Sequence, residues 1–289
     1  MEIGASAKDM TKDIIIKADN LLFSYDDEKS YSLNGLSLEI ERGRKVAFMG
    51  ANGAGKSTFF LCLNGIHKPS EGTLYLDGKP VDYSKKGLLD LRSKVGIVFQ
   101  DPDNQLFSAS VTQEISFGAL NMGMSEQDAR KEVAKVIETL EITDFQHKPT
   151  HSLSGGQKKQ VSIADVLVMH PEIIILDEPA SSLDPKHTII VNKIVDMLVE
   201  QGITILMSTH NVDYALEWAD EIVLIAEGKT LMHGTPVEVF SNDTILQQTN
   251  LKKPAAMELF ESLVKKGILP ADLPVPKSLK VLEEYISAV

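Results

Sequence analysis

Residues 50–57 read Gly-Ala-Asn-Gly-Ala-Gly-Lys-Ser, a fit to G-x-x-x-x-G-K-[ST], the pattern whose backbone amides cradle phosphate groups. A strand-like run, Arg44-Lys45-Val46-Ala47-Phe48-Met49, leads into it, and an apolar helical run, Ser57-Thr58-Phe59-Phe60-Leu61-Cys62-Leu63, leads out. Strand, glycine loop and helix are the context the pattern needs, and they predict an α/β fold with a nucleotide at the loop. Gly50, Gly53 and Gly55 allow a sharp turn, and no β-carbon keeps the amides from the phosphate oxygens. The helix N-terminus adds partial positive charge. Lys56 offers a full charge to the β- and γ-phosphates, and Ser57 a hydroxyl to Mg2+.

Ile173-Ile174-Ile175-Leu176 is a continuous apolar run, as expected for a central parallel strand covered on both faces. Asp177 and Glu178 follow at its C-terminal end, where open α/β sheets place ligand chemistry. An acidic pair at a strand end ordinarily just faces solvent. Behind a phosphate loop, Asp177 is expected to hold Mg2+ through water and Glu178 to act on the attacking water. The strand Ile203–Ser208 ends in Thr209-His210, and the strand Val95–Phe99 ends in Gln100. His210 can then reach a γ-phosphate, and Gln100 can ligate Mg2+ or the water. Leu153-Ser154-Gly155-Gly156-Gln157 opens a helix. Its serine hydroxyl, two bare amides and helix N-terminus form a second anion site. One chain cannot easily fold both anion sites onto one phosphate; a partner can.

With these residues in place, the chain resembles the ATP-binding cassette ATPases, the motor subunits of ABC transporters, over roughly residues 13–240. Gly50, Ala51, Asn52, Gly53, Ala54, Gly55, Lys56, Ser57 and Thr58 resemble the Walker A loop, and Tyr25 the aromatic that stacks on adenine. Gln100 resembles the Q-loop, Leu153–Gln157 the signature, Ile173–Asp177 the Walker B strand, Glu178 the catalytic glutamate, Ser182-Leu183-Asp184 the D-loop and His210 the switch histidine. The resemblance implies an α/β P-loop NTPase cassette: a RecA-like core with an antiparallel β subdomain and a helical subdomain. It implies ATP with Mg2+, the metal resting on Ser57, Gln100 and Asp177. It also implies a second cassette, identical or related, whose Ser154, Gly155, Gly156, Gln157 and Asp184 meet the nucleotide in trans. Two positions depart from the pattern: Gln160 stands where an arginine is usual, and Ala180 where a threonine is. These put hydrogen bonding between motifs in doubt, but not the chemistry.

The segment Val98-Phe99-Gln100-Asp101-Pro102-Asp103-Asn104-Gln105-Leu106-Phe107-Ser108, with Val111–Gly118, resembles the energy-coupling-factor transporters. Within them it is most similar to the ATPase subunit of cobalt and nickel importers, with vitamin importers carrying very similar segments. Implied partners are a transmembrane coupling subunit and a substrate-binding membrane subunit, with this chain peripheral on the cytoplasmic side of the cell membrane. Other classes fit less well. Chromosome and repair ATPases insert long coiled coils between phosphate loop and signature, and this interval has no room for one. Ribosomal factors carry two cassettes per chain. A regulatory module without turnover would not need Glu178 and His210.

The 289 residues carry a formal net charge of −12, which would repel a phosphate backbone, so nucleic acid is not expected as a partner. The single cysteine, Cys62, reads as a core residue of a reducing compartment. No signal peptide or membrane-spanning run is legible, so a soluble, cytoplasmic chain is expected. His147 and His151 are separated by Pro149, which breaks the helix that would set them on one face for a metal.

A disordered lead is expected at 1–12, the cassette at 13–242 with its helical subdomain at about 101–170, and a helical extension at 243–289. Strand-like runs at 13–24, 33–40 and 72–76 suggest the antiparallel part, and helical periodicity runs from 88 to 170, in Val111–Met122, Glu126–Leu140 and Ser154–Met169. Leu106, Phe107 and Val111 either meet the membrane partner or pack inside the helical insertion. In the tail, Met257, Leu259, Phe260, Leu263 and Val264 form a stripe ending at Gly267, and Leu279, Leu282 and Ile286 a second one. The tail is expected to cover the cassette or to pair with its copy.

Overall fold

In the computed structural model of the chain, the described residues are 13–25, 30–180 and 183–288. The lead at 1–12 and Ser182 lie outside them. The strand before the phosphate loop, β3 (Lys45–Met49), lies inside a six-stranded sheet. Its order is β10 (Lys229–Gly234), β9 (Glu221–Ala226), β3, β8 (Thr204–Ser208), β7 (Ile173–Asp177) and β6 (Val95–Val98). Pairing is parallel from β9 to β6 and antiparallel at the β10 edge. The apolar runs of β7, β8 and β9 are buried almost throughout, as a sheet covered on both faces requires. Register aligns the strand ends: Phe48 of β3 pairs with Ser208 of β8, which pairs with Asp177 of β7.

A second, four-stranded antiparallel sheet runs β2 (Leu33–Glu41), β1 (Ile14–Phe23), β4 (Glu71–Leu76) and β5 (Lys79–Pro80). Between the sheets lies α1 (Lys56–Leu63), and Phe59, Phe60, Cys62 and Leu63 bury into a core with Leu33, Leu36, Ile40 and Phe48. The Phe48 ring meets those of Phe59 and Phe60 at 5.5 and 5.1 Å between centroids. Burial pushes the Cys62 thiol up to about 12, which makes it an unreactive filler of this core. The short α2 (Lys85–Lys94), capped by Ser84, buries only Leu91. It precedes β6, so the helical run read from residue 88 belongs in part to this separate helix.

On the other face, α3 (Val111–Asn121), α4 (Glu126–Thr139) and α5 (Gly155–Leu167) form a layer, each started by a serine cap: Ser110, Ser125 and Ser154. Its core continues into β7 and β8 and into α6 (Pro185–Glu200) and α7 (Val212–Trp218). The candidate contact residues divide here. Leu106 and Val111 are 9% and 0% exposed, whereas Phe107 is 69% exposed and meets the edge of Phe117 at 5.1 Å. The division has a local cause: the buried Glu114 carboxylate accepts the N–H groups of Phe107 (2.9 Å) and Ser108 (2.5 Å), which fixes which way the loop turns.

Beyond β10 come α8 (Pro236–Phe240), α9 (Asp243–Gln248), α10 (Ala255–Lys265) and α11 (Leu279–Ser287). Ala256 and Met257 join the main core, while Phe260, Leu269 and Leu282 make a small cluster of their own. Gly267, at φ +69°, ends α10 in the left-handed conformation usual after a helix. The predicted stripes do not bury as a whole, since Leu259, Leu279 and Ile286 stay exposed.

Asp165 of α5 lies beside α3. Burial raises its carboxyl from 3.8 to about 7, opposed by a hydrogen bond from Gln105 Nε2 (3.2 Å) and reinforced by the Glu114 charge. Between those values the folded chain holds a proton that the unfolded chain has released, so this residue's contribution to stability falls as pH rises. Asp165→Asn is expected to reduce the loss of thermal stability between pH 5 and pH 8 relative to wild type, as read by melting temperature. Parallel pH profiles would contradict this.

Candidate functional site

The phosphate loop leaves β3 at Gly50 and enters α1 at Gly55, and its geometry excludes larger residues. Gly55 has φ +111°, and a β-carbon there would lie 2.6 Å from the Ser32 carbonyl oxygen. Gly50 has φ +141°, with the Ile225 carbonyl oxygen 2.1 Å from such a carbon. Lys56 is buried, and its ammonium donates to the carbonyls of Gly50 (2.9 Å) and Ala51 (3.1 Å). Burial lowers its pKa below the ordinary lysine value, against the nearby charges of Glu178 and Asp177, which raise it. The lysine is thus folded back over its own loop, within the field of the acidic pair. Ala51, Asn52, Gly53 and Ser57 are exposed around it, and Ala54 and Thr58 are buried.

The acidic pair ends β7. Ser208 Oγ donates to Asp177 Oδ1 (2.5 Å) and accepts from the Glu178 amide (2.8 Å). Glu178 takes φ +45°, uncommon for a residue with a side chain. Its carboxylate is shared: Oε1 lies 2.8 Å from His210 Nε2, and Gln100 Nε2 donates to Oε2 at 3.2 Å. Three residues read from three different strand ends therefore meet at one carboxylate.

No group of three or more His, Cys, Asp and Glu side chains is set to hold a metal among the described residues. Mg2+ would rest instead on Asp177, the Ser57 hydroxyl, the Gln100 amide, phosphate oxygens and water. Such a donor set of hard oxygens fits an ion that keeps several waters and leans on substrate phosphates.

Other predicted residues lie apart from this cluster. Ser154 and Gly155 are exposed at the start of α5. Ser154 and Gln157 form a reciprocal capping box: Ser154 Oγ accepts from the Gln157 amide (3.3 Å), and Gln157 Oε1 accepts from the Ser154 amide (3.1 Å). Gly156 has no room for a side chain, since its β-carbon would fall 2.0 Å from the His187 ring. Asp184 caps α6, accepting from the His187 amide (2.9 Å), and its other oxygen lies 2.7 Å from His187 Nδ1. The side chains of Gln157 and Asp184, read as trans nucleotide ligands, are thus engaged inside their own chain here.

Tyr25 is 58% exposed. Its hydroxyl lies 3.2 Å from Thr58 Oγ1, and its ring packs edge-on against Phe23 (5.1 Å) and His67 (5.2 Å). His67 carries no motif, and nothing in its sequence context signals the aromatic corner. Lys159 carries no motif either: buried on α5, it donates to the carbonyls of Phe99 (2.8 Å) and Gln100 (2.9 Å). Burial lowers it to about 8. It ties the helix of the second anion site to the Gln100 turn. Gln160 donates to the Leu140 carbonyl (3.3 Å), so this departure from the usual arginine serves packing inside the helical layer.

A cleft of about 280 Å³ opens between Gly50–Asn52, His210 and residues 249–251, bringing the tail to the rim of the loop. A larger cavity, about 570 Å³, lies between Lys17, Glu39, Glu221 and His233, and none of the motif residues lines it.

The sequence profile described as "ABC transporter" matches residues 33–181. The chain is 46% identical to the energy-coupling factor transporter ATP-binding protein EcfA2 of Clostridium perfringens, covering 88% of this chain and 90% of that protein. The chain belongs to the ABC transporter ATP-binding family. It is an ATP-hydrolysing subunit of the energy-coupling-factor type. The structure of cbiO1 from Clostridium perfringens, described as part of the ABC transporter complex cbiONQ, is similar with a TM-score of 0.72 at 46% identity, over 86% of this chain and all of that one. The dimeric cassette MJ0796, solved in a post-hydrolysis state with ADP and Pi, is similar with a TM-score of 0.69 at 27% identity, over 77% of this chain and 99% of that one. The α/β cassette fold read from the motifs of this ATPase subunit is therefore borne out.

The loop geometry makes one sharp prediction. Gly55→Ala is expected to weaken ATP binding by tenfold or more, on the order of the strain that a left-handed alanine facing a backbone carbonyl would impose. Titration with a fluorescent ATP analogue checks it.

Proposed function

We propose that this subunit hydrolyses ATP within a head-to-tail pair of cassettes and so drives an importer of cobalt or nickel ions. The reading is carried by the Glu178 carboxylate, shared between Gln100 and His210 beside the phosphate loop. Lys56 leaves the Gly50 and Ala51 carbonyls for the β- and γ-phosphates, and the amides of residues 50–58 and the start of α1 receive the remaining oxygens. Tyr25 takes the base. Ser57, Asp177 and Gln100 would hold Mg2+, whose charge would neutralise that of the phosphates. Glu178 orients and deprotonates the attacking water, and His210 turns to the γ-phosphate. From the partner come Ser154, the amides of Gly155 and Gly156, and the polar groups of Gln157 and Asp184. Catalysis on this reading is positioning plus charge stabilisation.

The exposure of Ser154 and Gly155, outside the Glu178 cluster, supports a site completed by a second copy or a related cassette. ATP closes the pair, hydrolysis reopens it, and Gln100, gripped through its turn by Lys159, moves the helical layer with the γ-phosphate. Phe107 is the proposed contact with the transmembrane coupling subunit, which works beside a substrate-binding membrane subunit. Among the described residues no helix is long and apolar enough to cross a membrane; on this reading the subunit binds the cytoplasmic face of the cell membrane through those partners. The choice of cobalt or nickel rests on the segment from Val98 to Gly118 and on the likeness to cbiO1.

Glu178→Gln is expected to retain ATP binding, hydrolyse at least about tenfold slower, as loss of a general base entails, and accumulate as a closed dimer in size-exclusion chromatography. Near-normal turnover would refute the role. Phe107→Ala is expected to lower uptake by about tenfold, the scale of an aromatic anchor at an interface, while ATPase activity persists. Uptake of labelled cobalt and nickel by the reconstituted complex tests the substrate, and uptake of a vitamin instead would overturn it.

A further inference from the structure

We propose that Ser208 is a positioning residue for hydrolysis, a buried hydroxyl that orients the Asp177 carboxylate with its proton and anchors the Glu178 backbone with its oxygen. The inference rests on the roles given to Asp177 and Glu178 above. Ser208 closes β8 and is fully buried. It stands in register between Phe48, on the strand that feeds the phosphate loop, and Asp177, on the strand that carries the acidic pair.

Both of its bonds require a hydroxyl. The proton goes to Asp177 Oδ1 at 2.5 Å, within the range of a charge-assisted bond. A lone pair takes the Glu178 N–H at 2.8 Å. The residues before it, Ile205, Leu206 and Met207, are buried and apolar, and a polar group among them is costly unless bonded.

Two consequences follow for the chemistry. The serine occupies one oxygen of Asp177 and fixes the rotation of the carboxylate, so that the second oxygen would be the one to serve Mg2+. The amide bond holds Glu178 at φ +45°, a conformation that residues with a β-carbon seldom adopt unsupported. From that turn the Glu178 side chain reaches Gln100 and His210. His210 itself leaves the same strand end two residues after Ser208, so the hydroxyl that binds Asp177 and Glu178 stands beside the origin of the third motif residue.

The test compares Ser208→Ala, Ser208→Val and Ser208→Thr. Valine and threonine share a shape and differ in the hydroxyl. Turnover is expected to fall about tenfold or more in the Ala and Val variants, the scale of a lost bond to a charged group, with KM for ATP within about threefold. Thr recovers most of the loss. A readout free of turnover is amide hydrogen exchange in the nucleotide-free protein. Exchange at Glu178 is expected to accelerate about tenfold in Ala and Val but not in Thr, while Ile174–Leu176 keep wild-type rates. The proposal is overturned if Ala keeps turnover within about twofold of wild type, if Val and Thr behave alike, or if exchange rises along all of β7. Glu178→Gln assayed in parallel separates the failures. Normal turnover there sinks the site assignment, whereas slow turnover there beside an unimpaired Ser208→Ala sinks only the serine.

Discussion

The site depends on the in-register parallel pairing of β3, β8, β7 and β6. Parallel strands deliver all their C-terminal ends to one edge of the sheet. Phe48, Ser208 and Asp177 lie in one row across three strands, so the loops that leave them emerge side by side. A shift of one residue in either pairing would turn each side chain to the opposite face. It would also part the Ser208 hydroxyl from Asp177. The phosphate loop, the acidic pair and His210 are neighbours because backbone hydrogen bonds set this row, not because their side chains attract one another.

The proposed second anion site obeys a different constraint. Its glycines sit at the start of α5, on the helical layer, where Ser154 and Gly155 face outward. Gly156 packs against His187, and His187 is held by Asp184, so the start of α5 is tied to the start of α6. Lys159, one turn along the same helix, binds the main chain at Phe99 and Gln100. A buried ammonium with two carbonyl acceptors is a costly linkage to break, and it joins the turn at Gln100 to the helix that begins at Gly155. On the proposed reading, closure of a pair and the state of one nucleotide would be connected through this linkage.

Much of the fold could be read because periodicity and glycine placement are local. The apolar run of β7 announces a doubly covered strand, and the glycines at 50, 53 and 55 announce backbone pressed against phosphate. Less was legible where an outcome depends on distant partners. Leu106, Phe107 and Val111 look alike as letters. Glu114, buried on α3, binds the amides of Phe107 and Ser108, and of the three only Phe107 is exposed. In the tail, Leu259 belongs to an apolar stripe but stays exposed, because the cluster around Phe260 and Leu282 closes without it.

By itself, then, the sequence determined the family, the strand, glycine loop and helix at the phosphate site, and the residue types that can bind and hydrolyse a nucleotide. These follow from chemistry confined to short segments. Only the tertiary structure decided that Ser208, Lys159 and His67 stand beside those residues, that Gln157 and Asp184 spend their side chains on their own helices, and that residues 249–251 border the phosphate loop. Each of these depends on contacts between segments far apart in the chain, which no local pattern encodes.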